Sequence, residues 1–413
     1  MKLYIDPGTG SMLFAILIGI ISAVTYLLKS WWLKLRFLLS GGKKVETDQK
    51  KLPIVIFSDD KRYWSVFKPV CRELDKRGVD VVYMTASEDD PALSNEFPHI
   101  RAEFISSGNK AYAKLNFLNA SIVLSSTPGL DVYQWKRSHQ VDWYVHMLHA
   151  ASDVIGYKSF GIDYYDALLL SGQYQVDDVR ALEELRHLPA KELVKIGIPY
   201  MDDMAARLAA DGSAPPHART VLLAPSWGES AIFKKFGGKI IDVLLDTGYH
   251  IVIRPHPQSF TAEKEMMDKL MQSYPASDQL EWNRDPDNYE VLRRSDLLIS
   301  DFSGVVFDFS LVYNKPVIYA DTEFDTSPYD AWWLKKDYWT FGALPRIGQK
   351  LTPDNMGQLK EMIDACLTDP RYAAGRDEIR AETWEHPGEG AVRAADYLVN
   401  KLKELNAEEG GEA

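Results

Sequence analysis

Residues 295–319 read SDLLISDFSGVVFDFSLVYNKPVIY. Residues 297–300 form a short, wholly apolar-faced run, the pattern of a strand covered on both faces. Asp301, Phe302, Ser303 and Gly304 make a turn, and a helix is expected from Gly304. Residues 317–319 begin the next strand, which completes one βαβ unit of a parallel sheet. Ligands of such sheets bind beyond the carboxyl ends of the strands. The free N–H groups at a helix start suit a phosphate. Gly304 lets the backbone come close, and Ser303 offers a hydroxyl. The same residues also fit a plain helix cap, with Ser303 as N-cap and Asp308 and Lys315 on the surface.

The alternation extends in both directions. Upstream, TVLLAPS, HIVIRPHP and LEWN read as strands, with helices expected near 232–246, 261–273 and 286–294. Two further loops then leave the same sheet edge. One carries Ser226, Trp227 and Gly228; the other holds His256 between two prolines, after Arg254. An imidazole or a guanidinium there can meet a diphosphate oxygen; the alternative is an exposed turn histidine.

Before the Pro- and Gly-rich stretch DGSAPPHA at 211–218 the pattern repeats. Strands are expected at IVIFS, VDVVYMTA, RAEFIS, ASIVLSS, WYVHMLH and YDALLLSG, with a helix over 63–77 ended by Gly78. His146 and His149 lie near the end of the fifth of these. His149, nearer the expected ligand edge, is a candidate general base toward a hydroxyl; the alternative for either is a satisfied structural histidine. The expected divisions are 1–50, a membrane helix, juxtamembrane segment and linker; 51–212 and 213–385, two Rossmann-type doubly wound domains; and 386–413, a last helix with a fraying acidic tail.

The chain has 413 residues, a formal net charge of −12 and two cysteines, Cys71 and Cys366. The charge argues against nucleic-acid partners, which need basic faces. The cysteines outline neither a disulfide framework nor a metal site. No carboxylate cluster calls for magnesium, so a divalent metal is neither required nor excluded. Residues 11–28, SMLFAILIGIISAVTYLL, carry no charge and have the length of a bilayer-crossing helix. Lys29, Lys34, Arg36, Lys43 and Lys44 follow it, which puts the N-terminus outside and the rest in the cytoplasm.

The stretch with DFSG, FDF and KP resembles the CDP-glycerol glycerophosphotransferase family, the teichoic-acid polymerases and primases. Arg254-Pro255-His256-Pro257 is similar to that family's HP element, and Pro225-Ser226-Trp227 to its P-[ST]-W element. Glu389-Gly390-Ala391-Val392-Arg393 is similar to a late acidic-Gly-x-Ala…Arg segment. Where the family carries Trp-His-Gly-Thr-Pro, this chain reads Leu148-His149-Ala150-Ala151-Ser152, which keeps only the histidine.

The resemblance implies a GT-B-like fold and transfer of glycerol phosphate, or another polyol phosphate, from CDP-glycerol or a similar donor, with release of CMP. It implies His149 and His256 as catalytic residues, and Arg254, Ser226, Trp227, Asp301, Ser303, Gly304, Glu389 and Arg393 as donor-binding. No cofactor is implied beyond the donor. The implied partners are the bilayer and a lipid-linked or membrane-borne glycan acceptor, at a bacterial cytoplasmic membrane; self-association is compatible with all of this. A GT-B glycosyltransferase using a nucleotide-sugar and a non-catalytic membrane-anchored binding protein are the alternative readings.

Overall fold

The computed structural model describes residues 51–212, 214–285 and 287–411. The expected membrane helix lies outside the described residues; among those described, no helix is long and apolar enough to cross a membrane.

Two sheets form the frame, and every strand pairing within them is parallel. The first contains β1 (Leu52–Ser58), β2 (Val81–Thr85), β3 (Ile100–Phe104), β4 (Asn119–Ser125), β5 (Gln140–Met147), β6 (Ala167–Leu170) and β7 (Glu192–Lys195). Their spatial order is β3-β2-β1-β4-β5-β6-β7. The second contains β8 (Thr220–Leu223), β9 (His250–Ile253), β10 (Leu280–Trp282), β11 (Leu297–Ser300), β12 (Val317–Ala320) and β13 (Gly348–Leu351), in the order β10-β9-β8-β11-β12-β13. Strand order reverses between β1 and β4 in one sheet and between β8 and β11 in the other. Those two switch points are where a doubly wound sheet opens a ligand crevice.

Burial on both faces explains the runs of apolar residues. Within β1, Val55 and Phe57 pack into one core and Ile54 and Ile56 into another, all of them fully buried. In β8, Val221 and Leu223 face one core and Leu222 the other. Adjacent side chains of a strand point to opposite faces, so a strand covered on both sides loses its polar alternation.

The same clasp closes each switch point. Ser125 Oγ donates to the Phe57 carbonyl at 2.9 Å, and Ser300 Oγ to the Ala224 carbonyl at 2.6 Å.

Segments cross between the halves and fix the gap between them. Ala331 and Tyr338, which follow β12, belong to a core of the first sheet; Ala151, which follows β5, belongs to a core of the second. The buried Asp153 carboxylate accepts the N–H groups of Trp339 at 2.6 Å and Thr340 at 3.1 Å, and the Thr340 hydroxyl at 2.6 Å. Arg186 pairs with Asp163 at 2.6 Å and also with Asp330. The last helix, Gly390–Gly411, returns to the first sheet and buries Ala394, Ala395 and Leu398 beside Trp64, Phe67 and Leu74.

Several expected elements differ in detail. The helix expected over 232–246 is two, Ile232–Phe236 and Lys239–Asp246, broken where Gly237 takes φ +60°. The helix from Gly304 is a three-residue turn, Val305–Phe307, that widens into a π-helix over Asp308–Val312. The tail expected to fray continues the last helix through Gly411.

Candidate active site

The turn after β11 is built around Asp301, which is fully buried. Its carboxylate accepts the Ser226 N–H through both oxygens at 3.1 Å and the Ile232 N–H at 3.1 Å. Asp301 therefore ties the loop after β8 to the end of β11. Burial pushes its carboxyl up to about 6, and the Ser226 side chain and the N–H groups it accepts pull the other way. These contacts shape the loop.

The loop it holds presents Trp227, which is 45% exposed, and Gly228 at φ +93°. Trp227 and His256 approach with ring centroids 6.3 Å apart, which joins the loops after β8 and β9.

His256 has a fixed tautomer when neutral. Its Nδ1 accepts the Gln258 N–H at 3.1 Å, so Nε2 carries the proton and is a donor. Burial lowers this imidazole to about 4; Arg62 adds to the depression and Asp60 opposes it. Arg254 is held by the chain that follows the strand next to its own. Its guanidinium donates to the Asn283 side chain and, at 2.8 Å, to the Asp285 carbonyl, which clamps the end of β9 to the segment after β10.

Across the gap, His149 follows β5. The Tyr63 ring meets it edge-on with centroids 5.1 Å apart. His149 Nδ1 is buried and unpartnered among the described residues. Burial lowers this imidazole to about 4, with Arg62 again adding to the depression. His146 is a core residue: its Nε2 lies 3.0 Å from the Tyr157 hydroxyl, and burial holds it down to about 3.

The two halves meet at Gly304. A Cβ added there would lie 3.6 Å from the Ala150 methyl, so the turn of Ser303 and Gly304 stands against the His149 loop.

The structure thus brings His149, His256, Ser226, Trp227, Asp301, Ser303 and Gly304 into one chain of neighbours. Glu389 and Arg393 pair with each other at 2.8 Å at the start of the last helix. Among the described residues, no hydrogen bond, ion pair or ring contact joins either to that group. Asp308 and Lys315, surface residues in the plain-cap reading, are both engaged. Tyr200 donates to the buried Asp308 carboxylate. Lys315 Nζ donates to the carbonyls of Arg293 and Ser295, each at 2.6 Å, and caps the helix Tyr289–Arg294.

Arg62 and Tyr63 were not singled out from the sequence. They sit in the turn DDKRYW after β1, beside the first switch point, where Thr127 Oγ1 donates to Asp59 at 2.9 Å. Their position beyond the carboxyl end of a central strand was the available signal. Among the described residues, no group of three or more His, Cys, Asp or Glu side chains could hold a metal ion.

Residues 162–338 match the family model described as CDP-Glycerol:Poly(glycerophosphate) glycerophosphotransferase. That segment contains Ser226, Trp227, Arg254, His256 and the turn 301–304; it does not reach His149, Glu389 or Arg393. No curated protein matches the sequence. Among solved structures, the fold is similar to a variant of the wall teichoic acid polymerase TagF soaked with CDPG, with a TM-score of 0.54, 16% identity, and coverage of 85% of this chain and 89% of that one. It is also similar to the UDP-GlcNAc 2-epimerase of Methanocaldococcus jannaschii in complex with UDP-GlcNAc and UDP (TM-score 0.56, 13% identity, 85% and 100% coverage). A third is MnaA of S. aureus with UDP (TM-score 0.55, 15% identity, 87% and 97% coverage). At these identities the likeness is one of fold, a GT-B-like pair of parallel sheets. The family match is what points to the chemistry: residues 162–338 carry a CDP-glycerol glycerophosphotransferase domain, and that is the part of the chain the match covers.

Proposed function

We propose that the chain moves glycerol phosphate, or another polyol phosphate, from a CDP-activated donor to a hydroxyl of a membrane-associated glycan or polymer. One observation carries this reading. The turn of Ser303 and Gly304, inside the family-matched segment, stands against the loop that bears His149.

The acceptor oxygen attacks the phosphorus that bears the polyol, and the bond from that phosphorus to the CMP oxygen breaks. CMP leaves with the bonding electrons. His149, neutral above about pH 4, takes the acceptor's proton. His256 donates Nε2–H to a diphosphate oxygen, and the backbone at Ser303 and Gly304 approaches the same phosphates. Arg62, whose charge reaches both imidazoles, adds a cation on the first-sheet side. Such transfer rests on positioning and electrostatics, so few groups need to react. The uncharged segment 11–28 and the lysines after it support a single-pass anchor in a bacterial cytoplasmic membrane, with the N-terminus outside and a lipid-linked acceptor within reach.

The test is CMP release from CDP-glycerol by the full-length protein with a lipid-linked glycan. Wild-type release by His256→Ala would remove His256 from the site. Thermal stabilisation by UDP-sugars and not by CDP-glycerol would overturn the donor assignment.

A further inference from the structure

A cavity of about 180 Å³ opens at the tips of β11, β12 and β13, on the far side of the 301–304 turn from the loops of Ser226 and His256. Phe302, Tyr319, Phe324 and Phe341 line it, and Phe302 and Phe324 meet with centroids 4.5 Å apart. Asp321, Thr322, Glu323 and Lys350 are its polar residues, and Ala320, Leu344 and Pro345 complete the lining. No step of the proposed transfer uses any of these residues.

We propose that this cavity binds a neutral polyhydroxylated unit, a single sugar or polyol residue.

The cavity is small for a nucleotide. Pockets for drug-sized ligands run to roughly 300–1,000 Å³. At roughly 30 Å³ per water, this one holds about six waters' worth of ligand, enough for one ring or a short polyol. Charge excludes a phosphate. Lys350 is paired with Asp321 at 2.6 Å, and the nearby Lys235 approaches Glu323 at 4.0 Å, so neither cation is left unopposed for an anion. The chemistry of the lining suits hydroxyls on a carbon frame. Aromatic rings pack against C–H faces, carboxylates accept O–H donors, the ammonium donates, and the Thr322 hydroxyl does either.

The ligand class stands on the cavity itself. That the unit is the donor's polyol or the acceptor's terminal sugar rests on the proposed transfer, and the two sources are separable by experiment. Saturation-transfer NMR on the full-length protein, in a detergent without a sugar headgroup, would use glycerol and N-acetylglucosamine as separate probes. Asp321→Asn, at the half-exposed rim, and Thr322→Val, nearly isosteric, would be compared with wild type after thermal melts confirm folding. Each should weaken the signal about fivefold, as for one lost hydrogen bond; CDP-glycerol binding should weaken with it if the unit is the donor's polyol and stay at its wild-type level if it is the acceptor's sugar. A variant-sensitive signal from glycerol assigns the donor's polyol; one from N-acetylglucosamine assigns the acceptor. Signal from neither probe, or signals that both variants leave unchanged, overturns the proposal. Failure of CDP-glycerol to bind wild type would instead count against the transfer reaction and leave a sugar signal standing.

Discussion

Gly304 faces Ala150 across the gap between the two sheet edges, and a Cβ at Gly304 would lie 3.6 Å from the alanine methyl. Its φ of −57° and ψ of −23° are open to any residue, so the glycine is not there for its conformational range. What it provides is room. Gly304→Ala should fold with an ordinary contact at Ala150. Gly304→Leu should fill the place where phosphate approaches and raise the donor KM, at a cost of about 1–3 kcal/mol in donor binding or in stability. Kinetics and thermal melts on both variants would check this. A leucine variant with wild-type KM would place the phosphate elsewhere.

As the proposed general base, His149 should set the acid limb of the rate profile. Burial, with help from Arg62, lowers its pKa to about 4, so the base form persists well below the usual histidine range. kcat/KM should therefore hold from pH 8 down to about pH 5 as far as this group is concerned. His149→Asn should lower kcat about 10²- to 10⁴-fold. An acid limb near pH 6.5 that vanishes in the variant would mean an exposed, ordinary imidazole.

Asp301 predicts a coupled loss. Asp301→Ala removes the acceptor for the Ser226 and Ile232 N–H groups in a buried loop. Each unmet group costs about 1–3 kcal/mol. Melting temperature and CDP-glycerol affinity should fall together, because the loop that bears Ser226 and Trp227 loses its anchor. Lost affinity at unchanged melting temperature would instead make Asp301 a direct ligand.

Asp308 carries a pH-dependent contribution. Burial pushes its carboxyl up to about 7, with the Tyr200 hydroxyl opposing. The folded state then holds a proton that the unfolded chain releases near the ordinary carboxylate value. The stability this provides is complete below that value and is lost as pH rises through about 7. Asp308→Asn, neutral throughout, should gain about 1–3 kcal/mol relative to wild type between pH 4 and pH 8. Parallel melts across that range would check it; a constant difference would show Asp308 ionised in the fold.

The frame was legible because both sheets are covered on both faces. Strands such as IVIF over 54–57 and LLIS over 297–300 lose polar alternation and stand out as apolar runs between turns. β7 and β13 were not legible. Their sequences, ELVK and GQKL, are short and half polar, and they pair at the sheet edges where one flank needs no neighbour. At the site, His149, His256, Ser226 and the 301–304 turn could be named from position after a strand. The division of labour could not. Asp301 and Arg254 look like ligands in sequence, but their engaged partners lie far along the chain, at Ser226 and Ile232 and at Asn283 and Asp285. Arg62 was missed because a lone arginine in a charged turn looks solvated until the fold places it near two histidines from different loops.

Arg62 supplies the sharpest test of that convergence. It is half-exposed, its Nε donates to Asp60 at 2.8 Å, and its charge depresses both His149 and His256. Removing a cation favours the protonated imidazole, so Arg62→Gln should raise both pKa values. Burial is the larger cause at each histidine, so both should remain below the ordinary value of 6.5. His256 should rise further, because the Asp60 carboxylate beside it then loses its nearest counter-charge. NMR titration of the two imidazole C–H signals reads this directly, and, if Arg62 also serves the proposed donor phosphates, the donor KM should rise in the same variant. If one imidazole moves and the other does not, Arg62 belongs to a single loop, and the gap between the sheets is not bridged by its charge.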